Sequence, residues 1–226
     1  MNPSNPPNQH AAGAPFPCIV LASTSRYRAQ LLGRLAFPFL TARPDVDERA
    51  PAWSGLAPDA MALALARAKT LAVAARPEHA GRLVIGSDQV AVLDGELLHK
   101  PGTVAAAGAQ LQRMAGRAHR LVTAVAVTRA GPDAERELHT ATDTHILWMR
   151  PLSEALIAAY IEADQPLDCA GSYRLEARGL ALFDRIEADP ETADDTAVIG
   201  LPLMKTVALL RKLGFEPLAA PVTPPP

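Results

Sequence analysis

Short apolar runs alternate with helical stripes through the first hundred residues, after which the pattern changes to two long strand-like segments. Cys18–Ala22 and Leu83–Gly86 are runs of strand length. Arg26–Leu35, with Leu31, Leu32 and Leu35 at helical spacing, follows the first, and a strand is expected near Phe39–Ala42. Pro58–Ala75 reads as a helix with Met61, Leu65, Ala68 and Leu71 as its stripe. The run at Leu83–Gly86 ends on Ser87-Asp88, and Gln89–Leu93 continues extended to a hairpin-type turn at Asp94-Gly95. Thr103 caps a helix over Thr103–Met114 that Gly116 ends. His119–Thr128 and Glu137–Met149, linked by a turn at Gly131-Pro132, read as an antiparallel ribbon. Ser153–Ala163 and Pro202–Leu213 are the last helices, with Pro202 in a first helical turn. The order predicts an α/β chain: a mixed sheet with flanking helices, in two lobes around a cleft.

With 49% hydrophobic and 20% charged residues, the 226-residue chain has the material for a proper core. Residues 1–16 read as a disordered tail, 17–216 as one domain and 217–226 as a Pro-rich tail unable to pack. The N-terminal stretch lacks a basic segment followed by an apolar one, so no signal peptide is read and cytoplasmic residence is expected. No apolar run approaches the ~20 residues of a membrane span. A net charge of −2 argues against a broad nucleic-acid footprint and leaves room for one small anionic ligand held by local Lys and Arg. Cys18 and Cys169 lack metal spacing and read as buried reduced thiols.

Four clusters carry chemistry. In Ser23-Thr24-Ser25-Arg26-Tyr27-Arg28 a strand end meets a helix start, where unpaired N–H groups favour an anion. Hydroxyls of Ser23 and Ser25 with a guanidinium from Arg26 or Arg28 would complete a phosphate cradle; ordinary N-capping explains the same residues. Asp45-Val46-Asp47-Glu48 is either solvated surface or a source of one or two carboxylates for a divalent metal. Asp88, bracketed by apolar residues at a strand end, needs a partner, a metal or backbone N–H groups to be tolerated. Lys100 sits in the constrained His99-Lys100-Pro101-Gly102 turn. Cradle, carboxylates and lysine together make the parts of metal-assisted phosphoryl chemistry. No G-x-x-x-x-G-K-[ST], G-x-G-x-x-G or G-x-S-x-G is present, so P-loop, dinucleotide-binding and serine-hydrolase readings find no support.

LASTSRYRAQLL and PDVDE within Ile19–Glu48, and GSDQVAVLDGELLHKPG within Ile85–Gly102, closely resemble the motifs of Maf-type nucleotide pyrophosphatases. MAGRAHRLVTAVAV, CAGSYRLEARG and IGLPL follow in the same order, so the resemblance runs from Cys18 to Phe215. It implies an inosine-triphosphatase-like (Maf/Ham-like) fold and hydrolysis of a nucleoside triphosphate between the α and β phosphates, with a divalent cation, magnesium or manganese. On the matched positions Asp88 would activate water, Glu48 and Asp88 would hold the metal, and Lys100 and Lys69 would neutralise phosphate charge. Ser23 and Arg28 would grip the phosphates. Members are commonly dimeric, so a homodimer is expected.

SDQV, with Gln89 after the acid, differs from the ADTV form of the branch cleaving dTTP and UTP. Together with Tyr27 and Glu176 it resembles the branch acting on 7-methyl-GTP. A cationic methylated guanine would be drawn to an aromatic face and a carboxylate. The alternatives are a dTTP/UTP pyrophosphatase on the same fold and a non-catalytic nucleotide-binding regulator of septum formation. Arg26 in place of a frequent Pro, and His99 in place of a usual Gly, are the two departures from the pattern.

Overall fold

The computed structural model describes residues 18–222; the 1–16 tail and the last four residues lie outside that range. The elements are β1 (Ile19–Leu21), α1 (Arg26–Gly33), β2 (Phe39–Thr41), α2 (Pro58–Ala74), β3 (Leu83–Leu93), β4 (Glu96–Leu98), α3 (Val104–Met114), β5 (Ala118–Arg129), β6 (His139–Met149), α4 (Glu154–Asp164), β7 (Phe183–Ala188) and α5 (Leu203–Lys212). The seven strands of the described residues form one mixed sheet in the order β2-β1-β3-β5-β6-β7, with β4 folded back onto β3. β1 runs parallel to β2 and β3, while β3, β5, β6 and β7 are antiparallel neighbours. The mixed α/β architecture with flanking helices is therefore as expected.

Because side chains alternate across a strand, residue parity says what covers each face. Met61, Ala62, Leu65 and Ala66 of α2 pack on Val90, Val92, Val122, Ala124 and Ala126, all even-numbered positions of β3 and β5. The odd positions face two other clusters. At one end Ile85, Val125 and Val127 pack with Leu31 and Leu32 of α1 and Leu209 and Leu210 of α5. At the other, Ala91, Leu93, Leu121, Leu147 and Met149 pack with Leu111 of α3 and Ile157 and Ile161 of α4. Between these clusters the odd positions are polar: Ser87, Gln89, Thr123 and Asp143. The sheet thus has an apolar seam at each end and a polar break in its middle.

Several boundaries differ from expectation. β3 is a single strand of 11 residues running through Asp88, because β5 pairs with it from Leu83 to Val92 and leaves no place for a break. β7 escaped notice because it is a charged, half-exposed edge, Phe-Asp-Arg-Ile-Glu-Ala, without apolar alternation. The buried face of α2 includes Lys69 and Thr70, whereas Ala68 and Leu71 are half-buried. α1 stops at Gly33, and Pro202 is the N-cap of α5. Both thiols are free and half-exposed, so the reading of them as buried is corrected. The start of the 217–226 tail packs after all: Pro217–Ala219 forms a 3₁₀ turn capped by Glu216, with Pro217 buried.

Candidate active site

Asp88 lies in the middle of β3 on the face covered by α2, with only 5% of its surface exposed. Lys69, 3% exposed, reaches it from the buried face of α2 and donates from Nζ to Asp88 Oδ1 at 2.6 Å. The same ammonium pairs with Glu48 Oε1 at 2.5 Å, although Glu48 comes from the irregular segment before α2 and is far more exposed. Leaving a buried charge without its partner costs about 3–5 kcal/mol. The apolar contacts that seat α2 on β3 thus also seat the cation that lets Asp88 stay there.

The two carboxyls differ in proton affinity. Burial raises that of Asp88 above the ordinary carboxylate range; Lys69 and Arg28 oppose the rise without cancelling it. Burial acts on Glu48 in the same sense, but the charges of Lys69, Lys100 and Arg28 outweigh it and hold Glu48 below the ordinary range. Environments that drive two acids apart mark a division of labour, with Asp88 suited to take up a proton and Glu48 to remain an anion.

At the strand end after β1 the hydroxyls of the expected cradle make the N-capping contacts that explain the same residues. Ser25 caps α1 by accepting from Arg28 N, and buried Ser23 accepts from Ser25 N at 3.1 Å. Arg28 Nε donates to the Gly200 carbonyl at 2.9 Å, which leaves its terminal nitrogens as the groups it can offer a ligand. Burial lowers the proton affinity of Arg28, while Asp88 and Glu48 work to raise it. Ser87 Oγ donates to the same Gly200 carbonyl at 2.8 Å and also lies 2.7 Å from Ala124 O. Gln89 Nε2 donates to Thr123 Oγ1 and Ala197 O, both at 2.9 Å.

These groups open on one cavity of about 750 Å³, within the size range of small-molecule sites. Ser23, Tyr27, Arg28, Glu48, Lys69, Gln89, Lys100 and Glu176 all line it. Asp88 lines an adjoining recess together with Glu48, Gln89 and Lys100. The nine residues to which the resemblance assigned a role are therefore brought together around the cavity and its adjoining recess.

Among the described residues no three His, Cys, Asp or Glu side chains cluster as an all-protein metal site. Glu48 and Asp88 nonetheless converge on one cation, the Lys69 ammonium. Two hard carboxylates fit magnesium, which is commonly held by one or two such groups and completed by water and substrate phosphates. Asp45 and Asp47 take no part: Asp45 pairs with Arg43 and Arg76, and Asp47 Oδ1 accepts from Arg49 N.

Arg174 was missed in the sequence. Its guanidinium carbon lies 5.2 Å from the centre of the Tyr27 ring, and its Nε donates to Glu176 Oε1 at 3.2 Å. It therefore links the two residues expected to meet a cationic base. The only signal was its place between Tyr173 and Glu176 in the quoted motif. The Asp194–Gly200 turn was missed as well, since it acts through backbone carbonyls.

The profile described as Maf-like protein matches residues 18–213. A protein of Xanthomonas oryzae pv. oryzae (strain MAFF 311018) named 7-methyl-GTP pyrophosphatase is 51% identical over 201 residues, 89% of this chain and 99% of its own length. One of the same name from Bordetella avium (strain 197N) is 44% identical over 205 residues, 91% of this chain and 98% of its own. Among solved structures, the Staphylococcus aureus Ham1 protein aligns with a TM-score of 0.40 and 19% identity, over 58% of this chain and 71% of that one.

Proposed function

The chain belongs to the Maf-like protein family, and from that premise we propose that it is a hydrolase that cuts 7-methyl-GTP to 7-methyl-GMP and pyrophosphate. The single observation that carries the reading is the Lys69 ammonium shared by Asp88 and Glu48, with Lys69 and Glu48 lining the same cavity as Ser23, Arg28 and Lys100. In this reading the triphosphate lies along Ser23, Arg28 and Lys100, and the base lies toward Tyr27, Gln89 and Glu176.

Asp88, the acid with the raised proton affinity, takes a proton from water as water adds across the anhydride between the α and β phosphates. Lys69 keeps Asp88 aligned and, with Lys100, offsets the charge that develops on the leaving pyrophosphate, while Arg28 grips the bound phosphates. Glu48 remains ionised and fixes Lys69 from the solvent side. A divalent cation, when bound by Glu48 and Asp88, supplies further charge neutralisation at the phosphates. The base assignment draws on the relatives named for this substrate and on a cationic ring being attracted to an aromatic face and a carboxylate.

Product identity tests the reaction class: 7-methyl-GMP with pyrophosphate is expected, and 7-methyl-GDP with orthophosphate would overturn it. We extend the proposal to a cytoplasmic homodimer without a nucleic-acid partner. The family resemblance supports the dimer, and the near-balanced charge supports the lack of a polyanion surface. No helix among the described residues is long and apolar enough to cross a membrane.

A further inference from the structure

Gln89, Thr123 and Asp143 are consecutive partners across β3, β5 and β6, so they form one polar rung across the break between the two apolar clusters. The turn Asp194–Gly200 lies over this rung. Its Ala197 carbonyl accepts from both Gln89 Nε2 and Thr123 Oγ1 at 2.9 Å, and its Gly200 carbonyl accepts from Arg28 Nε and Ser87 Oγ. The turn thus fixes one residue expected to meet the base and one expected to meet the phosphates.

Asp143 holds the turn down. It is 4% exposed, and its Oδ2 accepts from the Asp194 backbone N–H at 2.8 Å and pairs with Lys205 Nζ at 2.6 Å. Its Oδ1 faces His145 Nδ1 at 3.2 Å, so both oxygens are committed within the protein and the cavity lining does not include it. Asp194, 1% exposed, passes the constraint on: Oδ1 accepts from Thr196 N and Oγ1, and Oδ2 accepts from Lys205 N. Thr196 Oγ1 in turn accepts from Leu203 N at 2.7 Å and contacts Leu201 O at 2.9 Å, closing the turn onto the start of α5.

We propose that Asp143 is a positioning residue for nucleotide binding: by anchoring the Asp194–Gly200 turn it sets the carbonyls that hold Gln89 and Arg28. This rests on the reading of the cavity as the nucleotide site. Asp143 acts on the grip for the substrate and not on Asp88, which lies on the opposite face of β3.

The test compares variants by backbone hydrogen exchange and by steady-state kinetics on whichever nucleoside triphosphate the wild type turns over. Loss of a buried, charge-assisted bond predicts, for Asp143→Ala, about tenfold faster exchange across 194–203 and a KM raised about tenfold, with kcat within about threefold. Asp143→Asn, which keeps an acceptor for the Asp194 N–H, restores most of both. Unchanged exchange in folded Asp143→Ala, or a fallen kcat with an unchanged KM, overturns the proposal. Should the alanine variant not fold, Thr196→Val cuts the same anchor one step further along, and the same signs are expected and required. Failure of the wild type to turn over any nucleotide would refute the proposed function, and the exchange measurement alone would then decide the positioning role.

Discussion

Gly86 lies so close to Thr70 that a Cβ on the glycine would stand 2.2 Å from the threonine hydroxyl oxygen and 2.9 Å from the Ala66 carbonyl oxygen. Neither can yield easily, because Thr70 Oγ1 donates back to Ala66 O at 2.8 Å and lies 3.2 Å from Ala126 O. This contact sits one residue from Lys69 on the helix and two from Asp88 on the strand. Gly86→Ala must therefore lift α2 from β3 and draw the ammonium away from the acid. Overpacking of this kind costs about 1–3 kcal/mol, and at 2–4 °C per kcal/mol for a domain of this size Tm should fall by several degrees. Thermal melting and activity should decline together; a variant with unaltered Tm would mean that the helix has slack to give.

Asp88 and Glu48 should respond to pH with opposite signs. Native Asp88 holds its proton more tightly than in the unfolded chain, so ionising it costs stability as pH rises above the ordinary carboxylate range. Asp88→Asn removes that cost, and its Tm relative to wild type should rise between acid and neutral pH while hydrolysis is lost. Native Glu48 holds its proton less tightly, so it contributes stability that is present above the ordinary range and lost as pH falls through its lowered value. Glu48→Gln should accordingly lose stability at neutral pH and little in acid. Melting curves from pH 3 to 8 read both trends.

Burial pushes His119, whose Nε2 lies 2.8 Å from the Tyr173 hydroxyl, down to about 4 from 6.5. The neutral ring folds, and the unfolded chain takes up a proton first as pH falls. Stability is thus complete above 6.5 and lost between there and 4, by up to about 3 kcal/mol. His119→Gln should flatten the acid limb of a Tm-against-pH curve, and an unchanged slope would assign that limb to other groups.

Much of this was legible beforehand because the chemistry is carried by contiguous motifs. Asp88 announced itself as an acid inside an apolar run, and Ser23–Arg28 as a strand end meeting a helix start. The pairing of Lys69 with Asp88 was not legible, since it depends on how α2 docks, and a lysine on a helix is usually a surface residue. β7 was hidden because an edge strand need not be apolar on either face. The Asp194 turn was hidden because a backbone carbonyl carries no sequence signature, and Asp143 because its partner, the Asp194 N–H, lies 51 residues away.

Specificity should follow the ion pair beside Tyr27. Glu176→Ala leaves the Arg174 guanidinium without its carboxylate in front of the Tyr27 ring, which disfavours a cationic base. The ratio of kcat/KM for 7-methyl-GTP over GTP should drop about tenfold, in line with 1–2 kcal/mol for a charged contact. Gln89→Thr should lower the same ratio, because threonine cannot span from Thr123 to the Ala197 carbonyl. Folding is checked in both by Tm, which should change little.

The most direct measurement is pyrophosphate release from 7-methyl-GTP, GTP, dTTP and UTP with Mg²⁺ or Mn²⁺, for wild type and Asp88→Asn side by side. Wild type should turn over 7-methyl-GTP with the highest kcat/KM, and the asparagine variant, still folded, should release no pyrophosphate from any of them. Comparable release by wild type and Asp88→Asn would contradict this role for Asp88.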